Sequence, residues 1–364
     1  MKVLWLANIP SPYTVNFLNE LGKLCELTVL FELKDAKDRD NSWKNYQFQS
    51  FNGIFLKGIR YSSDKALCFS VKKYLKQKYD VIVVSNMATL TGILAVNYMR
   101  RHKIDYIIQG DGGFKKNKKG LKEKLKEYLI SGAKYCLSTG QAHDEYYCAY
   151  GAKKENIFRI PFTSLYEKDI EKTIATQSEK QAKKELLGIK EEKVVLSVGQ
   201  FIYRKGFDVL IDATSKLEKD VGVYIVGGQP TQEYIKQINL LQLTNVHFVD
   251  FMPPSELKNY YRVADVFVLP TREDIWGLVI NEAMSNGLPV VTTNNCMAGL
   301  ELVENDKNGY VVSVDNSQEL ANAITKILND ENYQLFCKNS LEKIQDYTIE
   351  NVAKVHFDIF NKII

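Results

Sequence analysis

Short apolar runs recur along the chain, each closed by glycine or polar residues and followed by a longer amphipathic stretch, and this alternation limits the possible folds most. "KVLWLAN", "LTVLFEL", "DVIVVSN" and "DYIIQGDGG" read as strands buried on both faces. "SVKKYLKQKY" and "TLTGILAVNYMRRH" carry helical spacing. Strand–helix alternation predicts parallel sheets covered by helices on both sides. The series then stops at "KDIEKTIATQSEKQAKKE" and starts again with "KVVLSVGQ", "VGVYIVGG", "NVHFVDF", "DVFVLPT" and "LPVVTT". The fold class expected is therefore α/β, with two Rossmann-like parallel-sheet domains facing across a cleft. The expected domains are residues 1–165 and 166–347, with a linker around 164–178. The amphipathic helix in 348–364 can pack on either, returning to the first domain in one of the two arrangements. A length of 364 residues gives each domain room for its own core.

Bulk chemistry excludes several classes. A net charge of +4 is mild for a dedicated nucleic-acid binder. Cys25, Cys68, Cys136, Cys148, Cys296 and Cys337 form no C-x-x-C pair, so they read as buried thiols of a reducing cytoplasm. "MKVLWLANIP" has too short an apolar run for a signal peptide, and no run of about 18 apolar residues suggests a membrane span. The first strand ends in "ANIPSPYTVNF" instead of G-x-G-x-x-G, which argues against a dinucleotide enzyme.

In open parallel sheets ligands bind beyond the carboxyl ends of the strands, so those ends are where site residues are sought. "SVGQFIYRKGFDVLIDA" sets Arg204 and Lys205 after a strand, with Gly206 opening a helix. Like charges oppose the helix dipole there, and a diphosphate would explain them. The alternative is a solvated cation pair. "TREDIWGLVINEAMSNG" repeats the arrangement, with a helix starting near Gly277 and free N–H groups in its first turn. Glu282, inside that helix, suits a ribose diol, since a buried carboxylate needs donors. Asp274, before the helix, suits hydroxyls of a second sugar. Read structurally, Glu282 is a surface helix position and Asp274 a dipole partner.

Together these motifs resemble the donor-binding half of the GT-B-fold retaining glycosyltransferases of family 4, across most of residues 195–315, including "VGGQPTQEY" and "NDKNGYVV". The family's glutamate, seven residues, glutamate pattern stands here as Asp274, "IWGLVIN", Glu282, with Glu273 adjacent to the substituted first position. Its Gly-Arg, four residues, Lys-Gly motif stands as Gly199-Gln200 and Lys205-Gly206, with Arg204 beside the lysine in place of the missing guanidinium. The resemblance implies a hexosyltransferase. It moves sugar from a nucleoside-diphosphate donor, UDP by default, to a saccharide or lipid-linked saccharide with retention, in surface or capsular polysaccharide assembly. It assigns Arg204, Lys205 and Asp274 to catalysis, and Gly199, Gln200, Gly277, Leu278, Val279 and Glu282 to the donor. No metal and no cofactor are implied. The runner-up is a non-catalytic sugar-nucleotide-binding protein or a GT-B-fold epimerase.

On the acceptor side, Pro12 and Tyr13 fall in the first strand–helix loop, and Asp111 and Gly112 follow a strand end. Asp111 reads equally as an acceptor-orienting group and as a turn aspartate. His143 reads as a helix residue near the rim, and "DRD" at 38–40 as a loop, not a metal motif. In "KKNKKGLKEKLKEYLI" seven lysines surround Leu121, Leu125 and Leu129. Either the leucines pack on the sheet, or the helix lies on an anionic membrane, each lysine contributing up to about 1 kcal/mol. The second reading places a cytoplasmic protein at the inner face of the membrane. No nucleic-acid partner is expected.

Overall fold

A computed structural model describes residues 1–36, 46–115 and 120–364. The chain divides into two compact units, one of residues 1–164 with 348–364 and one of residues 165–347. "DRD" at 38–40 and the lysines at 116, 118 and 119 lie outside the described residues.

The first unit is built on strands β1 (Lys2–Ala7), β2 (Glu26–Phe31) and β3 (Asn52–Phe55). A two-stranded antiparallel excursion follows, β4 (Ile59–Arg60) with β5 (Ala66–Leu67). The main sheet continues with β6 (Val81–Val84), β7 (Ile107–Gln109), β8 (Tyr135–Ser138) and β9 (Ile157–Arg159). Its spatial order is β3-β2-β1-β6-β7-β8-β9, with every pairing parallel. Residues 3–7 of β1 are at most 3% exposed, because helices cover both faces and leave no polar side to the strand. The helix Ile349–Ile363 belongs to this unit and packs on the helix Pro12–Gly22, with Phe17 and His356 rings 4.7 Å apart.

The second unit holds β10 (Lys193–Val198), β11 (Val221–Val226), β12 (Val246–Val249), β13 (Val266–Leu269), β14 (Val290–Thr293) and β15 (Gly309–Val312). They form a parallel sheet in the order β12-β11-β10-β13-β14-β15. All four residues of β13 are fully buried, as a central strand requires. Local signals place the helices. Thr176 caps Gln177–Leu187 in a reciprocal box with Glu179, and Gly188 ends that helix in the left-handed conformation.

Both sheets are doubly wound, so each has a topological switch point. In the first the chain runs outward from β1 and returns at β6. In the second it runs outward from β10 and returns at β13. At such a point the connections from neighbouring strands run to opposite faces of the sheet, and a crevice opens at the carboxyl ends within the unit.

Two readings from the sequence are corrected. Pro12 and Tyr13 are the first residues of the helix Pro12–Gly22, not a loop, since proline suits the first turn, where its missing N–H goes unneeded. His143 is 1% exposed, stacked on Tyr147 at 4.2 Å, and its Nδ1 accepts the Thr139 N–H at 3.2 Å. Burial pushes its pKa down to about 3, so it is a neutral core group, not a rim residue.

Candidate functional site

The residues singled out in the second unit converge on its switch point. Gly199 and Gln200 leave β10, and residues 270–277 leave β13, beside it. Arg204 and Lys205 lie in a 3-10 turn, Tyr203–Lys205, after β10. That turn packs against the β13 loop through main-chain bonds: the carbonyl of Arg204 accepts the Arg272 N–H at 2.8 Å and the Thr271 hydroxyl at 2.9 Å.

Asp274 is the hub. Its carboxylate meets Lys205 Nζ at 2.6 Å and Arg204 Nη1 at 3.3 Å. Lys205 and Asp274 side chains are each 13% exposed, so their attraction is little screened, whereas Arg204 is 45% exposed. Arg204 Nη1 also donates to the Glu273 carbonyl oxygen at 2.7 Å. Asp274 is held in place by its own backbone, which donates to Asn295 O at 3.0 Å and accepts from Met297 N–H at 3.1 Å. The Asp274 carboxylate thus meets both cations, and the Glu273 carbonyl accepts from Arg204 as well.

The following helix, Leu278–Ser285, starts from Gly277 at φ 105°, a conformation that L side chains rarely adopt. A Cβ there would also lie 3.0 Å from Cys296 Sγ. Trp276 is 3% exposed and donates its indole N–H to Asn281 at 2.8 Å, so the aromatic of the aromatic-glycine step anchors the helix. Leu278 and Val279 open the first turn, where backbone N–H groups lack intrahelical partners. Glu282 is half-buried and accepts the hydroxyl of buried Tyr261 at 2.9 Å. Desolvation raises its pKa, and the tyrosine bond pulls the other way. Gln200 is exposed beside this cluster.

Three further residues shape the site: Arg272 and Tyr261, which sequence reasoning passes over, and Gly206, which it reads only as a helix start and a motif position. Arg272, inside the quoted motif, donates to both oxygens of Asp208 at 2.9 and 2.6 Å and to the Tyr203 carbonyl at 2.7 Å, and meets Asp315 at 2.7 Å. It braces the turn carrying Lys205. Tyr261 orients Glu282. Gly206 sits at φ 69°, and a Cβ on it would stand 2.1 Å from the Pro270 carbonyl oxygen. Gly206→Ala is therefore expected to lose about 1–3 kcal/mol of stability from the backbone conformation alone. Urea unfolding checks this, and a change below 0.5 kcal/mol would contradict the close approach.

In the first unit, Tyr13 lies edge-on to Phe162 at 5.9 Å, and Asp111 lines a pocket with Trp5, Ser85, Gln109 and Thr163 at the carboxyl edge of the sheet. Gly112 follows Asp111, and Pro12 precedes Tyr13 at the helix start. In the helix Leu121–Ser131, Leu121 is 87% and Leu125 is 37% exposed, and Leu129 is buried. Packing on the sheet therefore holds for Leu129 alone of the three. Among the described residues no helix is long and apolar enough to cross a membrane, and no cluster of His, Cys, Asp and Glu could hold a metal.

The two doubly wound α/β units share the fold of known two-domain GT-B glycosyltransferase structures. Anabaena HepE in complex with UDP superposes with a TM-score of 0.80 at 19% identity, over 100% of both chains. Sucrose-phosphate synthase of Thermosynechococcus elongatus gives 0.74 at 18% identity, over 100% of this chain and 99% of the other. In sequence, residues 178–349 match the family described as glycosyl transferases group 1. An uncharacterised glycosyltransferase of Methanocaldococcus jannaschii is 29% identical over 177 residues, 47% of this chain and 45% of that protein. A D-inositol 3-phosphate glycosyltransferase of Corynebacterium aurimucosum is 34% identical over 151 residues, 38% of this chain and 35% of that one. The chain spans about half the length or less of these relatives.

Proposed function

We propose that the protein is a retaining hexosyltransferase that takes its sugar from a nucleoside-diphosphate donor, UDP-sugar favoured, and passes it to a saccharide or lipid-linked saccharide in surface-polysaccharide assembly. The observation that carries this reading is the cluster of Lys205, Arg204 and Asp274 beside the first turn of Leu278–Ser285. A diphosphate placed there meets two cations and unpaired N–H groups, the groups that stabilise charge on a departing phosphate. HepE was crystallised with UDP and with UDP-glucose, which supports the same donor class here.

In the proposed reaction the anomeric C–O bond to the diphosphate breaks as the acceptor oxygen bonds to the same face of that carbon. The acceptor proton passes to the departing phosphate oxygen, so no protein nucleophile is required. Lys205, Arg204 and the N–H groups of Leu278 and Val279 take up the charge that develops on the diphosphate. Gly199, Gln200 and Gly277 let the donor approach the backbone, Asp274 accepts from hydroxyls of the transferred sugar, and Glu282 from the ribose diol. One Glu282 oxygen is engaged by Tyr261, and the other has no protein partner among the described residues. The cations and the helix N-terminus neutralise the leaving group, so the proposal includes no metal or cofactor.

The acceptor is assigned to the first unit, at Pro12, Tyr13, Asp111 and Gly112. That unit carries 29 Lys and Arg against 17 Asp and Glu, a formal +12, and the second 19 against 27, a formal −8. Such asymmetry, with Leu121 and Leu125 exposed on a lysine-rich helix, supports contact of 115–130 with an anionic membrane at its cytoplasmic face.

A thermal-shift panel with UDP, GDP, ADP, dTDP and NAD tests the donor site. A ligand at 100 times its Kd stabilises by about 2.7 kcal/mol, a midpoint shift of several degrees. A shift with one nucleoside diphosphate that disappears in Glu282→Ala is expected. No shift with any of them, or a shift with NAD alone, overturns the donor assignment.

A further inference from the structure

The pocket in the first unit is walled by Trp5, Tyr13 and Phe162, with Thr14, Ser85, Gln109, Asp111 and Thr163 supplying polar groups, and among the described residues no Lys, Arg or His lines it. Ser85 is already engaged, since its hydroxyl donates to Leu6 O at 2.7 Å and accepts the Trp5 indole N–H at 3.2 Å. Gln109 is 7% exposed, and one end of its amide lies 2.9 Å from Nε2 of the fully buried His356. The other end has no protein partner among the described residues, and Gln109 lines the pocket. Which end is oxygen decides what the pocket offers.

Hydrogen-bond chemistry answers that. His356 Nδ1 lies 2.7 Å from the Val352 carbonyl oxygen, which only accepts, so Nδ1 carries a proton. Burial pushes the pKa of His356 down to about 4, so near pH 7 the ring holds only that proton and Nε2 presents a lone pair. A lone pair cannot bond to a carbonyl oxygen. The amide must therefore turn its NH2 toward Nε2, an orientation fixed by the bonding network and not by the shape of the side chain.

We infer that Gln109, held by His356, turns its carbonyl oxygen into this pocket, and that the pocket takes an uncharged, hydroxyl-bearing saccharide ring. Gln109 and the Asp111 carboxylate are then both acceptors, so a ligand that bonds to them must donate, as a sugar hydroxyl does. Aromatic walls suit the apolar face of a sugar ring, and the absence of a lining cation among the described residues leaves a phosphate or carboxylate unmatched there. The saccharide class rests on the transferase reading, whereas the orientation of Gln109 does not. Gln109 is thus a specificity residue, and His356, from the helix that closes the chain, positions it.

The chain has only four histidines, so imidazole nitrogens are resolvable in the full-length protein labelled with 15N-histidine. A long-range 1H–15N correlation is expected to show His356 with a protonated Nδ1 and a bare Nε2, assigned by loss of the signals in His356→Gln, or by elimination with His102→Gln, His143→Gln and His247→Gln. An Nε2-protonated ring or an imidazolium at neutral pH overturns the orientation. Saturation-transfer difference NMR then compares the methyl α-glycosides of glucose, galactose and mannose with glucuronate and glucose 6-phosphate. At least one neutral glycoside is expected to bind, about tenfold more weakly in Gln109→Met, one lost hydrogen bond. Equal binding by the anionic sugars, no effect of Gln109→Met, or no neutral binding overturns the ligand class. A UDP shift without glycoside binding sinks only the pocket inference. The expected tautomer without any nucleotide shift sinks the transferase reading.

Discussion

Lys180→Ala is expected to lower the stability of the second unit by about 3–5 kcal/mol, because it strips the partner from a buried charge. Lys180 is 5% exposed, on the helix Gln177–Leu187. Its ammonium group donates to Asp265 Oδ1 at 2.5 Å, to the Ala264 carbonyl at 2.8 Å and to the Tyr333 hydroxyl at 3.3 Å. Asp265 accepts the Val194 N–H at 2.8 Å with its other oxygen. These bonds fasten a surface helix to the entry of β13, whose far end delivers the loop carrying Asp274. For a unit of this size the loss corresponds to a midpoint drop on the order of 10 °C. The double variant Lys180→Met with Asp265→Asn removes both charges and keeps an acceptor for Val194. It is expected to be clearly more stable than Lys180→Ala. Urea unfolding of the three proteins decides. A single-variant loss under 1 kcal/mol would mean that water reaches the pair.

Lys180 also shows where the sequence stops being legible. "QSEKQAKKELL" lies in the polar, charged stretch that separates the two strand–helix series, where nothing local distinguishes Lys180 from Lys183 or Lys184. Its identity as a core group depends on Asp265, 85 positions away. Arg272 is the same case: it stands inside the motif that identifies the site, yet its role comes from Asp208, 64 positions earlier. Gln109 and His356 are 247 positions apart. By contrast, strands such as "VFVL" are visible because a central parallel strand is apolar on both faces, and the composition of a few adjacent residues carries that signal. The cationic turn and the acidic pair were visible for a related reason. Each sits at a strand end or helix start, where the local pattern fixes what the backbone offers a ligand. Boundaries were less secure: the first-unit loop assigned to Pro12 and Tyr13 is helix, since Pro12 begins the turn it was expected to precede.

At the proposed donor site, Lys205→Ala and Asp274→Asn are expected to move nucleotide binding in opposite directions while both depress transfer. Lys205 and Asp274 form a close ion pair at 2.6 Å, each side chain 13% exposed. A diphosphate bound there competes with Asp274 for the same ammonium and is repelled by its carboxylate. Asp274→Asn removes the competition and the repulsion, so free UDP is expected to bind up to about tenfold more tightly, some 1.4 kcal/mol. In the proposed complex the same change weakens the acceptor that Asp274 offers to the hydroxyls of the transferred sugar, a contact absent from UDP itself. Lys205→Ala removes a preorganised cation from the developing leaving group, and transfer is expected to fall about 10²- to 10³-fold. UDP binding weakens with it, because Arg204, 45% exposed, is better screened by solvent. Calorimetry with UDP and a single-turnover transfer assay on the two variants and their double separate the effects. Coupling between the sites is expected, since they touch. If Asp274→Asn weakens UDP as Lys205→Ala does, the ion pair is a structural brace, and the diphosphate sits elsewhere on the second switch point. If the signs are opposite, Asp274 discriminates the sugar-bearing donor from its spent nucleotide, and tighter product binding follows its loss.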